Sequence, residues 1–188
     1  MMLQLRAATP DDAEDIAGIY APYVVTSAVT FESTPPTIKE MRKRIADGLE
    51  MYPWIVICDD EVPDVVLGFA YATAFRPRPA YRFTVSTAVY IAGQSHRQGL
   101  GHILYECLLD TLHEQGFVNA IAAIPLPNET GIDLHESVGF QRAGVYRQVG
   151  FKLGEWHDVG LWQKTLAAAA DVPEEPKPFP QTGVITNR

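Results

Sequence analysis

The run Thr87–Leu104 reads Thr-Ala-Val-Tyr-Ile-Ala-Gly-Gln-Ser-His-Arg-Gln-Gly-Leu-Gly-His-Ile-Leu. A strand-like apolar segment gives way to a loop holding Gly99 and Gly101, and a helical stripe starts there. Glycines let a backbone approach an anion closely, while a helix start offers unpaired N–H groups and a positive dipole end. Arg97 adds a permanent charge, so the chemistry suggested is the holding of a phosphate. The spacing is neither GxGxxG nor GxxxxGK, which argues against a dinucleotide fold or a P-loop. The competing explanation is a strand-to-helix turn that needs glycine for geometry alone. Arg76 and Arg78 form a second group, since guanidinium forks match the paired oxygens of an oxyanion such as a carboxylate when they are not simply solvated. His135 is a third, because a near-neutral pKa suits proton exchange, although a helix or core histidine is the bland alternative.

Metal chemistry is not expected. The five histidines show no HxxxH or HxH clustering, and Cys58 and Cys107 lack CxxC or Cys/His ligand spacing. Each cysteine lies in an apolar segment, so no disulfide is expected either.

The elements that must position these groups follow from the pattern. Leu3–Ala7 alternates as a strand. Thr9 then places a hydroxyl N-cap before Pro10, Asp11 and Asp12, and Ile16, Ile19, Tyr20 and Tyr23 follow at helical spacing. Thr37-Ile38-Lys39-Glu40 is a capping box opening a second helix with Met41, Ile45 and Leu49 inward. Trp54–Cys58, Val65–Ala74 and Phe83–Ala92 read as an antiparallel meander, with Asp59–Asp64 as a polar turn. Gly99–Gln115 is a helix stopped by Gly116, Val118–Ile124 a buried strand, and Asn128–Val138 a short helix ended by Gly139. Ala143–Phe151 and Trp156–Leu166 close a hairpin around Leu153-Gly154-Glu155. This order gives a mixed α/β sheet with helices on its faces. From Asp171 onward the chain is proline-rich with little to form a core, so it reads as a tail, disordered or draped.

The chain has 188 residues, 47% of them hydrophobic, enough for one domain with its own core. With 15 basic and 23 acidic side chains the net charge is −8. That argues against nucleic acid as a partner, since phosphate contacts need a basic face. The N-terminus turns acidic too early for a signal peptide and no apolar run approaches about 18 residues. A soluble, cytoplasmic protein without a membrane partner is expected.

Strand, His96-Arg97-Gln98-Gly99-Leu100-Gly101 and long amphipathic helix together resemble the acetyl-CoA pyrophosphate loop of the GNAT acyltransferase superfamily. That loop runs Gln/Arg-x-x-Gly-x-Gly/Ala, and here His96 stands at its first position. Further stretches resemble the phosphinothricin N-acetyltransferases within it: Tyr52-Pro53-Trp54, Ala80-Tyr81, Leu104-Tyr105, Leu126-Pro127-Asn128, His135-Glu136 with Gly139, and Gly150-Phe151-Lys152 through Trp156-His157-Asp158-Val159-Gly160. The resemblance covers nearly the whole chain, tail included. It implies a GNAT fold over residues 1–170, a mostly antiparallel mixed sheet flanked by helices, with residues 171–188 as the tail.

The activity it implies is detoxification-type transfer of acetyl from acetyl-CoA to the amino group of phosphinothricin, methionine sulfoximine or a related small acceptor, by a homodimer. Val89, Tyr90 and Ile91 would pair with the pantetheine arm, the segment from His96, Arg97 and Gln98 to Gly99, Leu100 and Gly101 would hold the pyrophosphate, and Asn128 would bond the arm or serve as an N-cap. His135 stands where many GNAT enzymes carry a tyrosine acid. The family has glutamate as general base where this chain has Ser86. A serine hydroxyl cannot accept the proton at neutral pH but can order a water, so Glu32 or His135 acting through water becomes the alternative base. Phe31, Arg76, Arg78 and Tyr81 match acceptor-pocket segments. Two other readings stay open: a polyamine or protein amine as acceptor, and a CoA-binding sensor with vestigial activity.

Overall fold

The computed structural model describes residues 3–95 and 99–186. Seven strands form one sheet, β1 (Leu3–Ala7), β2 (Trp54–Asp59), β3 (Val62–Ala74), β4 (Thr84–Ile91), β5 (Asn119–Pro125), β6 (Gln141–Lys152) and β7 (Glu155–Thr165). Their order across the sheet is β1-β2-β3-β4-β5-β7-β6. All neighbours are antiparallel except β4 and β5, the one parallel pair. A parallel pair needs a long crossover, and helix α3 (Leu100–Gln115) supplies it. The fold is thus the mixed, mostly antiparallel sheet the sequence suggests.

Helices α1 (Ala13–Thr26) and α2 (Ile38–Gly48) cover one face, and α3 covers the other with α4 (Glu129–Ser137) beside it. The first face buries Ile16, Tyr20, Met41 and Ile45 against Trp54, Phe69 and Tyr90; the second buries Leu104, Tyr105, Leu108 and Leu112 against Ile55, Ala70 and Val85. The Thr37 box forms as expected, with the Glu40 N–H donating to Thr37 Oγ1 and the Thr37 N–H to the Glu40 carboxylate at 2.7 Å.

Three local expectations need correction. Residues Pro10–Asp12 form a 3₁₀ turn before α1 begins at Ala13. Thr9 does not cap with its hydroxyl; Asp12, paired with Arg6 at 2.7 Å, accepts the Thr9 N–H instead. Strand β3 begins at Val62, so the polar turn shrinks to Asp60 and Glu61, because the ladder closes at once with Asp59 opposite Val62.

The tail is draped, and it has a core contact that its composition hides. Phe179, at the start of a single helical turn (Phe179–Thr182), is 4% exposed. Its N–H donates to Met51 O at 3.1 Å, and Gln115 Nε2 donates to both Met51 O and Lys177 O. Arg82 forks onto Glu175 and Ile185 N donates to Thr111 Oγ1 at 3.0 Å. Among the described residues no helix is long and apolar enough to cross a membrane. Removing a buried aromatic side chain costs about 3–5 kcal/mol, so Phe179→Ala is expected to lower stability by roughly that amount in urea titration. A loss under about 1 kcal/mol would show the tail to be an ornament.

Candidate active site

The site originates in a defect of the sheet. β4 and β5 pair only at Thr84–Asn119, Val85–Ala120 and Ser86–Ile121, and then part. Beyond Ser86, β4 keeps β3 on one side as far as Ile91, while β5 keeps β7 as far as Pro125. Between them lies a cleft of about 550 Å³. It is lined by Thr87–Ile91, by Ala123–Pro125, by Gly99–His102 at the start of α3, and by Asn128, Gly131, Leu134 and His135 of α4 and its cap. Tyr23 and Val29, from the α1 side, also line it, so the cleft passes through the sheet.

The wall on the β4 side is a strand edge no longer paired by β5, an arrangement that can take an extended amide-bearing arm as an added strand. Tyr23 Oη donates to Ile91 O at 2.7 Å, which fixes the end of that edge against α1. Gly99 is the N-cap residue of α3 with φ +73°. A Cβ there would meet nothing, so its requirement is conformational: a side chain is strained in the left-handed region. At Gly101 the reason is space, since a Cβ would press on Leu134 of α4 at 3.2 Å. His96, Arg97 and Gln98 lie outside the described residues.

Asn128 caps α4, its Oδ1 accepting the Gly131 N–H at 2.9 Å. This leaves its Nδ2 as the group that can face a ligand. His135 is buried, with Nδ1 2.6 Å from Gly131 O. A carbonyl only accepts, so Nδ1 carries the ring proton and Nε2 of the neutral ring holds a lone pair. Burial lowers the His135 pKa, partly opposed by that carbonyl bond, which keeps the ring neutral near pH 7. Edge-on contacts with Tyr105 and Phe140, at centroid distances of 5.0 and 5.4 Å, hold its plane. Tyr105 is in turn fixed by Thr87, Oη to Oγ1 at 2.7 Å, and its burial raises the phenol pKa well above the usual range.

The other expected residues sit elsewhere. Glu32 is outside the cleft, held by Arg44 at 2.6 and 3.1 Å and by Tyr20 Oη at 3.2 Å, so its carboxylate is already occupied. Ser86 lies in the last paired rung and is not among the cleft residues; Thr87 is the first on that strand. Phe31 packs on Gly150 and near His157. Arg76, on the exposed β3–β4 connection, lies over the rings of Phe75 and Tyr81 at 5.0 and 5.7 Å and reaches Tyr146 Oη at 3.4 Å. Arg78 is exposed beside them. The clamp residues Tyr23, Thr87 and Tyr105 escaped the sequence reading as site residues because each looks like one more apolar or strand position. Among the described residues no three His, Cys, Asp or Glu side chains gather as a metal site.

Residues 5–161 match the acetyltransferase (GNAT) domain family. This chain belongs to the GNAT acetyltransferases. A phosphinothricin N-acetyltransferase of Streptomyces viridochromogenes is 38% identical, covering 94% of this chain and 92% of that protein. Another, from Alcaligenes faecalis, is 40% identical over 87% of this chain and 83% of its own length. The crystal structure of a phosphinothricin acetyltransferase from Sinorhizobium meliloti in complex with AcCoA superposes with a TM-score of 0.87 at 35% identity, covering 93% of this chain and 95% of that one.

The acetyltransferase's Gly99 sets a clear test. Gly99→Val is expected to weaken acetyl-CoA at least ~10-fold in calorimetry, about 1.4 kcal/mol. Unchanged affinity in the folded variant would remove the α3 start from the cofactor site.

Proposed function

We propose that this acetyltransferase transfers acetyl from acetyl-CoA to the α-amine of phosphinothricin, methionine sulfoximine or a related small amino-acid-like compound, a detoxifying reaction in the cytoplasm. The observation that carries the reading is the through-sheet cleft with a neutral, carbonyl-pinned His135 in its wall. The β4 edge beyond Ser86, which β5 no longer follows, suits a pantetheine arm, and its amides can polarise a thioester oxygen. The α3 start, with His96, Arg97 and Gln98, suits the pyrophosphate. Arg76, held flat by two rings, and Arg78 suit an acceptor carboxylate or phosphinate.

His135 then does the proton work that Ser86 cannot. The amine attacks the thioester carbonyl, forming the C–N bond. His135 Nε2, directly or through a water ordered by Ser86, takes the ammonium proton. As the C–S bond breaks, the imidazolium returns that proton to the thiolate, releasing CoA as the thiol. One neutral imidazole moves one proton, and Glu32, neutralised by Arg44, takes no part.

A homodimer fits the apolar ridge on the β6–β7 hairpin, where Tyr146, Val149, Phe151, Leu153 and Trp156 are all exposed. Contiguous apolar patches of this kind mark interaction sites. Sedimentation should give twice 20.8 kDa, and Trp156→Glu should yield monomer; a monomeric parent protein would remove the dimer.

The His135 assignment predicts a pH profile. The ring acts in its neutral form, and its pKa is lowered from 6.5. Log kcat/KM should therefore rise with slope two below that depressed pKa and slope one above it, the remaining slope being the acceptor amine's own. His135→Ala should lower kcat by roughly 10²–10⁴-fold with acetyl-CoA binding little changed, and erase the steeper limb. An unchanged kcat and profile would make His135 structural.

A further inference from the structure

A second cavity lies on the α1–α2 face of the sheet, apart from the cofactor cleft. It encloses about 270 Å³ and is walled by Tyr20, Met41, Trp54, Phe69, Tyr71 and Thr73, with Arg44 among its remaining residues. Three of these rings are nearly parallel. Trp54 lies 3° from Phe69 and 13° from Tyr71, the latter with centroids 4.2 Å apart. Trp54 is 4% exposed, and its buried Nε1 has no hydrogen-bond partner among the described residues.

The position relative to the reaction follows from strand register. Thr73 stands opposite Ser86, Tyr71 opposite Ala88 and Phe69 opposite Tyr90. Directly opposed residues share a face with Cβ atoms roughly 4.5–5.5 Å apart, and the stacked Phe69–Tyr90 rings at 5.3 Å mark that face as the one under α1. Ser86 therefore adjoins the Thr73 end of the cavity, one residue before β4 opens into the cleft. His135, whose contacts are Tyr105 and Phe140, belongs to the α3 side. The aromatic cavity therefore approaches the reaction centre on the face opposite His135.

We infer that the aromatic cavity receives the side chain of the acetyl acceptor, and that this side chain is large, uncharged and apolar, as in an aromatic or long aliphatic α-amino acid. An amine held near Ser86 can extend its side chain past Thr73 along the wall that these stacked rings form. A charged group has no counterpart there. Arg44 is bound to Glu32, so the pair presents no net charge, and burial keeps the Tyr71 phenol neutral. The inference rests on the reading of the chain as an acetyltransferase of amino-acid-like amines and adds large apolar amino acids to the acidic acceptors that the exposed Arg76–Arg78 loop would serve.

The test measures CoA release with L-phenylalanine, L-leucine, L-alanine, L-glutamate and phosphinothricin, for the parent enzyme, Thr73→Trp and Thr73→Ser. Filling an apolar pocket with a ring or branched chain is worth at least ~10-fold. Thus kcat/KM for L-phenylalanine should exceed that for L-alanine by that factor. Thr73→Trp, at an exposed strand position, should collapse the ratio by at least ~10-fold, and Thr73→Ser should preserve it. Equal kcat/KM for the two, or a ratio untouched by Thr73→Trp, overturns the inference. Turnover of phosphinothricin without any large apolar amino acid overturns it while leaving the proposed reaction standing. If no amine releases CoA, that reaction fails, and the cavity is judged by calorimetry with the CoA-saturated protein. Tighter binding of L-phenylalanine than of L-alanine, lost in Thr73→Trp, supports the pocket; equal binding refutes it.

Discussion

Everything the site does depends on three rungs of parallel pairing. Thr84–Ser86 and Asn119–Ile121 hold β4 and β5 together just long enough to fix their direction. Had the ladder continued, the amides beyond Ser86 that point away from β3 would be spent on β5 and the sheet would be closed. Unsatisfied backbone groups are costly when dry, so an open ladder of this kind is stable only where solvent or a ligand can complete it. The cleft is therefore a consequence of sheet geometry, and the side chains around it serve mainly to hold its walls.

Those supports are layered. Tyr23 ties the end of β4 to α1, Thr87 and Tyr105 tie its beginning to α3, and Tyr105 with Phe140 fixes the imidazole of His135. The left-handed Gly99 and the absent side chain of Gly101 set the start of α3 against α4. A cleft open to both faces would let the two partners of the proposed acyl transfer enter separately, a thioester arm along the β4 edge and an amine from the α1–α2 side. The buried neutral histidine suits the proton exchange because its Nδ1 is committed to Gly131 O. Its other nitrogen has a single defined role.

Much of this was legible in the residues. The Thr37 box, the α3 stripe ending at Gly116, and the Leu153-Gly154 turn all carry local chemistry, and the turn has φ +53° and +82° at its two central residues. The grouping of Gly99, Gly101, Asn128 and His135 was readable only through the resemblance to the GNAT loop and to the phosphinothricin N-acetyltransferase stretches. What escaped is non-local. The parting of β4 and β5 leaves no mark in either strand's pattern. Glu32 is held by Arg44, twelve residues on, in an ion pair that composition cannot show. Phe179 lies buried in a segment whose prolines read as a loose tail. Trp156-His157-Asp158 is a mixture: His157 is buried, with Nε2 on Lys152 O, and Asp158 anchors Gln148 and Arg147, while Trp156 faces outward.

Backbone hydrogen exchange followed residue by residue, with and without CoA, tests the central claim most directly. Amides of Thr84–Ser86 are already paired, so CoA should leave them unchanged. Amides within Thr87–Ile91 that point away from β3 should slow markedly when CoA binds, together with those at the start of α3. Protection that appears instead on the outer strands β1 or β6, or none at all in β4 at saturating CoA, would contradict the account of the open ladder as the cofactor's seat.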